Sequence, residues 1–239
     1  MKVETMSKSI LIIAAERGLG LGLAEQFLKR GWRVTASARS GADTQDLEAL
    51  GVDDPSRLSI VTIDVTDADQ IAPLLVQLGE RRFDVIYFNA GIWGANHQSV
   101  VEATDAEFAA VMLTNTFGPI RLAHRLLGHL APGGTYGFMS SHRGSIAINL
   151  EGGLELYRSS KVALNMLARG LWAANRDRNL TVLSIHPGWV STAMGTLNGA
   201  IAAEMELEPS VRGVADVVEW HMGSGENRYL DWEDRPLDW

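Results

Sequence analysis

The chain has 239 residues, 46% of them hydrophobic, a formal net charge of −8 and no cysteine. That length suits one large α/β domain or two small ones, with ample apolar content for a core. The acidic balance argues against a nucleic-acid partner, no Lys/Arg run suggests a membrane surface, and the lack of thiols removes disulfides and thiolate catalysis.

Residues 1–8 are too short and polar for a signal peptide and read as a short flexible tail. The longest apolar runs are strand-sized, which points to a soluble, cytoplasmic protein. From there strand and helix alternate. The continuously apolar run 10–13 reads as a parallel strand covered on both faces. Residues 21–30 have helical spacing, with Gly31 as the C′ stop. Strands are expected over 34–38 and 58–65, with a short helix around 43–50 between them. A helix over 71–78 and a strand over 85–88 follow. One long helix is expected over 106–130, ended by Pro132-Gly133-Gly134, then a strand over 135–139. A second long helix spans 157–175. A strand over 180–185, a helix over 211–221 and a last strand over 228–231 complete the pattern. No linker or repeat interrupts it. The expectation is a single doubly wound, Rossmann-type α/β domain: a mostly parallel seven-stranded sheet with helices on both faces. Ligands in such sheets sit at the carboxyl ends of the strands.

Ala14-Ala15-Glu16-Arg17-Gly18-Leu19-Gly20 follows the first strand and opens a helix. Glycines there let the backbone turn sharply and approach a pyrophosphate at the helix N-terminus. Helix–sheet packing accounts for glycines equally well. Strand two ends Ala38-Arg39, with no acid where an NAD-preferring site grips the ribose 2′-hydroxyl. Arg39 can pair with a 2′-phosphate, so NADP(H) is favoured and NAD(H) remains open; a solvated surface arginine is the alternative. Glu16 opposes the phosphate if it points inward. Asp64-Val65 ends strand three. Its carboxylate would accept from an adenine amino group or cap the next helix, though Thr66 or Asp67 suits the cap better. Asn89-Ala90-Gly91 ends strand four and either admits a cofactor closely or makes a tight turn.

Tyr157 and Lys161 stand four residues apart, on one helix face. An ammonium beside a phenol lowers the phenol's pKa, making Tyr157 a proton donor near neutrality. A packing tyrosine and a solvated lysine are the bland alternative. The six histidines show no metal-ligand spacing, so no metal is expected. His142 and Arg143 follow Ser141 and reach either substrate or solvent. Trp93 and Trp189 fall near the strand ends, which suggests an apolar pocket tolerant of bulky or aromatic carbonyls.

In this order, with Ser141, Asn115 and Pro187-Gly188, these motifs resemble the short-chain dehydrogenase/reductase family over essentially the whole chain. Gly144-Ser145-Ile146, Ala163-Leu164-Asn165-Met166, the run from Pro187 to Met194 and the tail from Tyr229 to Trp239 look like its C-factor-like carbonyl reductase branch. The resemblance implies an NADPH-dependent oxidoreductase moving hydride between nicotinamide and a carbonyl or alcohol. Tyr157 would donate the proton; Lys161 would lower its pKa and hold the nicotinamide ribose. Ser141, a better match than Ser140, would hydrogen-bond the substrate carbonyl. Asn115 would kink its helix and order a water near the lysine. Thr192 would bind the carboxamide, beside Val190 and the Pro187-Gly188 backbone. Ala14, Arg17, Gly18, Leu19, Gly20, Arg39, Asp64, Val65, Asn89, Ala90 and Gly91 would form the rest of the cofactor cradle. Residues 193–208 resemble the substrate-covering loop. The two long helices are the usual association face, with Leu164, Leu167, Leu171 and Trp172 as an apolar stripe, implying a homodimer or homotetramer.

Three positions depart from the family pattern. Ala14 stands for its first glycine, and the methyl crowds the turn if φ there is positive. Ile13 and Phe88 replace a threonine and an asparagine. They are expected to pack as an apolar pair, leaving no orphaned polar group. The altered loop also motivates a second reading: a cofactor-binding regulatory or signalling protein with weak turnover.

Overall fold

The computed structural model describes residues 7–239, so most of the tail expected over 1–8 lies outside the described residues. Seven strands form one sheet in the order β3-β2-β1-β4-β5-β6-β7. They are β1 (Ser9–Ile13), β2 (Arg33–Ala38), β3 (Leu58–Thr62), β4 (Phe83–Phe88), β5 (Leu130–Met139), β6 (Thr181–His186) and β7 (Asn227–Asp231). Every pairing is parallel, the last strand included. The order reverses between β1 and β4, which opens a crevice at their carboxyl ends.

Side chains alternate across a strand, so β1 feeds two cores. Leu11 and Ile13 pack under α3 (Ile71–Leu78), α5 (Gly118–Arg125) and α6 (Glu155–Ala173). Ile10 and Ile12 pack under α1 (Gly18–Lys29) and α7 (Leu207–His221). A small helix α2 (Gln45–Ala49) adds Leu47 to the second core. Gly31 takes φ +82° just past α1, as the C′ position requires. Ile13 and Phe88 are partners in register and both buried, and Phe88 stacks on Phe138 at 4.8 Å. The apolar pair has therefore replaced a polar one without leaving a donor unmatched.

The single helix expected over 106–130 is broken. It consists of α4 (Asp105–Met112), a π-type turn (Leu113–Phe117) and α5, then a 3₁₀ turn (Leu127–His129). Pro119 has no N–H and its ring clashes with the carbonyl four residues back, that of Asn115, so a regular helix cannot run through. Gly118 sits against the Val65 carbonyl, where a Cβ would come within 2.4 Å. β5 already starts at Leu130, and Pro132-Gly133-Gly134 lies inside it rather than before it.

α6 begins at Glu155, ahead of the expected start. Its first-turn donors are met from another part of the chain: the Leu156 N–H donates to the Gln98 carbonyl (3.3 Å) and the Tyr157 N–H to Gln98 Oε1 (3.0 Å). Elsewhere the bounds move by a few residues. Leu164 and Leu171 are buried and Leu167 and Trp172 partly so, so the apolar stripe of α6 packs on the core. Phe108, Phe117 and Met166 are exposed on α4–α5 and α6 instead. Among the described residues no helix is long and apolar enough to cross a membrane.

Candidate active site

A cleft of about 1410 Å³ runs along the carboxyl ends of the strands. All the expected site residues line it except Gly20 and Asn115, which act from behind its wall.

At one end lies the turn from β1 into α1. Ala14 has φ +66°, so the departure from glycine does fall on a left-handed position. Its N–H donates to Ser37 Oγ (2.9 Å), and its carbonyl accepts from Asn89 Nδ2 (2.7 Å). Gly20 packs under this turn: a Cβ there would lie 2.1 Å from the Ala14 carbonyl oxygen and 2.7 Å from Asn89 Nδ2. Arg17 caps α1 without a side-chain hydrogen bond, so the first-turn N–H groups remain available to an anion. Glu16 does point inward: its side chain is 9% exposed, and Oε1 lies 3.5 Å from Arg39 Nε. Asp64 Oδ1 accepts from the Thr66 N–H (2.8 Å) and hydroxyl (2.6 Å), while Asp67 caps the 3₁₀ turn (Ala68–Gln70). Asp64 thus faces the cleft free of capping duty.

At the other end Tyr157 occupies the first turn of α6, its ring 5.1 Å from Trp93. Lys161 is buried one turn on. Its Nζ lies 5.6 Å from the Tyr157 ring centroid and donates to the Met139 carbonyl (2.9 Å). Burial brings Lys161 down to about 8. Burial also pushes Tyr157 up to about 12, against a hydrogen bond from Ser141 that lowers it. The expected depression of the phenol by the lysine is not what this geometry produces, because desolvation dominates and the ammonium addresses a carbonyl.

Ser141 Oγ accepts from the Arg143 N–H (3.1 Å), which leaves its hydroxyl proton free to be donated. Ser140 is committed elsewhere, donating to Asn165 Oδ1 (2.7 Å). Asn115 is fully buried. Its Oδ1 accepts from the Ile92 N–H (2.7 Å), and Nδ2 donates to the Ile92 carbonyl (2.9 Å) and Ser160 Oγ (3.0 Å). A Cβ on Gly91 would lie 3.5 Å from both Asn115 Oδ1 and Lys161 Nζ, so Gly91 stands beside both groups.

After β6, Pro187, Gly188, Trp189, Val190 and Thr192 form the cleft's opposite wall. Trp189 Nε1 donates to the Gly195 carbonyl (2.6 Å), and Thr192 Oγ1 accepts from the Gly195 N–H (3.1 Å). His142 Nδ1 lies 3.0 Å from His186 Nε2. Burial depresses both imidazoles, His186 down to about 3, and the N–H of one ring donates to the free nitrogen of the other. Arg143, Glu204, Asp231 and Arg235 line the cleft nearby, so the pocket expected to be apolar has a polar side.

Three contributors escaped the sequence reading. Gln98 anchors the helix that bears Tyr157, and nothing local announces it. His186 immediately precedes Pro187-Gly188, and that position was its only signal. Tyr229, in the tail, donates its hydroxyl to the Ser141 carbonyl.

The family model of short chain dehydrogenases matches residues 8–200. The chain belongs to the short-chain dehydrogenase family. C-signal of Myxococcus xanthus is 31% identical over 158 residues, covering 65% of this chain and 92% of that protein. A Burkholderia multivorans protein solved with NADP bound has 38% identity and a TM-score of 0.92, with 98% of this chain and 100% of that one covered. A carbonyl reductase from Pseudomonas aeruginosa PAO1 in complex with NADP has 39% identity and a TM-score of 0.88, with the same coverage. This short-chain dehydrogenase thus stands near proteins of the C-factor-like and carbonyl reductase kind. Among its described residues no group of three or more His, Asp and Glu side chains is placed to hold a metal.

Proposed function

We propose that the chain is a carbonyl reductase that uses NADPH, with NADH also possible, and acts on bulky or aromatic aldehydes and ketones. The observation that carries this reading is the convergence of Ser141, Tyr157 and Lys161 at one end of a cleft whose other end presents Arg17, Arg39 and the α1 N-terminus. The cradle fits a dinucleotide: α1 offers uncapped N–H donors for a pyrophosphate, Arg39 offers a cation for a 2′-phosphate, and Gly91 lines the cleft beside Lys161. The relatives solved with NADP support the same cofactor.

Bound there, the nicotinamide supplies the hydride. Ser141 and Tyr157 direct their hydroxyls at the carbonyl oxygen, where negative charge grows. Tyr157 gives up its proton to that oxygen. A phenol near 12 remains protonated at neutral pH and is still a far stronger acid than an alcohol, so its raised pKa suits reduction. The Lys161 ammonium faces the same space. The Asn115 carbonyl, deprived of its helical donor by Pro119, is available to hold a water that returns the proton. Trp93 and Trp189 shape the pocket around the reacting group.

The test is NADPH oxidation with a panel of aromatic aldehydes and ketones. Tyr157→Phe should lower kcat by about 10²- to 10⁴-fold. NADPH binding without turnover of any carbonyl would favour the regulatory reading instead, which the strained Ala14 turn motivates. The exposed Phe108, Phe117 and Met166 support a homodimer or homotetramer.

A further inference from the structure

We propose that Glu16 and Arg39 form a two-way reader of the adenosine ribose: Glu16 accepts a free 2′-hydroxyl and Arg39 receives a 2′-phosphate, so the site takes both nicotinamide dinucleotides with little discrimination. This rests on the reading of the cleft as a dinucleotide site and goes beyond it by assigning Glu16.

β2 ends in Ala38, so the strand supplies no carboxylate for a ribose hydroxyl. The glycine turn supplies one instead. Glu16 lies in the cleft with its side chain 9% exposed, under an Arg39 that is 57% exposed. Its Oε1 sits 3.5 Å from Arg39 Nε, while Oε2 is buried with no hydrogen-bond partner. A desolvated carboxylate oxygen without a donor is costly, so the site is incomplete as it stands. A hydroxyl is a neutral donor and completes it.

A 2′-phosphate does the opposite, bringing like charge towards a carboxylate that cannot retreat to water. Arg39 offsets this. Its 3.5 Å approach to Glu16 is too long for a strong hydrogen bond, and its exposed guanidinium keeps the Nη edge free for a phosphate fork. The two side chains therefore pull in opposite directions on one substituent, and neither excludes the other's ligand.

The experiment is calorimetric titration of NADPH and NADH into the wild-type chain, Glu16→Gln and Arg39→Gln, each checked for folding by thermal melt. Wild type should bind both with dissociation constants within about tenfold of each other. Glu16→Gln should move their ratio towards NADPH by about tenfold or more, and Arg39→Gln towards NADH by a similar factor. Glu16→Asp, which keeps the carboxylate, should stay near wild type. A merely structural role would weaken both ligands together. Wild-type discrimination well beyond tenfold, an unmoved ratio in Glu16→Gln, or a shift towards NADH would overturn the proposal. Should Glu16→Gln fail to fold, the exposed Arg39→Gln carries the test alone, and an unmoved ratio there is equally fatal. Failure of wild type to bind either dinucleotide would bring down the proposed function as well; binding of both with an unmoved ratio would remove only this inference.

Discussion

Asn89 donates its side-chain amide to the Ala14 carbonyl across the turn that leads into α1, at 2.7 Å. With Ser37 on the Ala14 N–H, both polar groups of a left-handed alanine are held from neighbouring strands. The turn is over-determined by tertiary contacts and carries strain that a glycine would not. Ala14→Gly removes about 1–2 kcal/mol of left-handed strain and adds about 0.5–1 kcal/mol of chain entropy cost. The net expectation is a melting temperature higher by about 2 °C. A drop on thermal denaturation would mean the methyl's packing outweighs the strain.

Asn115 bridges the loop after β4 to α6 through Ile92 and Ser160. Asn115→Ala strands a partly buried N–H and carbonyl on Ile92, leaves a hole in the buried core and should cost about 3 kcal/mol of stability. Urea unfolding measures it; a loss under about 1 kcal/mol would show that the bridge is dispensable.

Partly buried His186, held neutral, makes the fold acid-sensitive. Its folded pKa near 3 lies below the ordinary histidine value, so between pH 6.5 and 3 the unfolded chain binds a proton that the folded chain refuses. Stability is intact above 6.5 and falls as pH drops through that window. His186→Gln should flatten the slope of melting temperature against pH there, and an unchanged slope would place the sensitivity elsewhere.

Lys161 titrates near 8. Below that value it is an ammonium; above it the charge beside Tyr157 is lost. The proposed reduction should hold its kcat/KM up to about pH 8 and decline beyond. Alcohol oxidation needs the Tyr157 phenolate, which a pKa near 12 suppresses at neutrality, so it should rise with pH. Parallel pH profiles in the two directions would refute this assignment.

Tyr229 holds the Ser141 carbonyl and packs its ring 5.1 Å from Trp239. Tyr229→Phe should lower kcat about tenfold through loosened Ser141 while leaving KM nearly unchanged. A change in KM alone would place Tyr229 in binding instead.

Much of this was legible in the chain. The apolar run of β1 and the glycines of the next turn announced a strand–turn–helix for a dinucleotide, because burial on two faces and close backbone approach restrict residue choice locally. The four-residue step from Tyr157 to Lys161 likewise followed from helical geometry, and both side chains reach the cleft. The long helix through Asn115 is legible only in part: the resemblance implies a kink at Asn115, and the π-type turn Leu113–Phe117 contains that residue, but the split into two separate helices is not in the periodicity. Its apolar periodicity runs on past Pro119, yet the missing N–H and the Val65 carbonyl beside Gly118 force the chain into a wider turn.

Residue types and their spacing were enough for the alternating α/β class, the glycine turn and the Tyr157–Lys161 step, since each depends on neighbours a few positions away; Ser141 joined that pair through the family resemblance. The folded molecule alone decided the protonation landscape and the supporting cast. Lys161 turns to Met139, Glu16 turns to Arg39, Gln98 starts α6 and Tyr229 braces Ser141. These contacts join segments at least 22 residues apart, up to 88 for Tyr229 and Ser141, and desolvation is a property of the packed interior that no local pattern encodes.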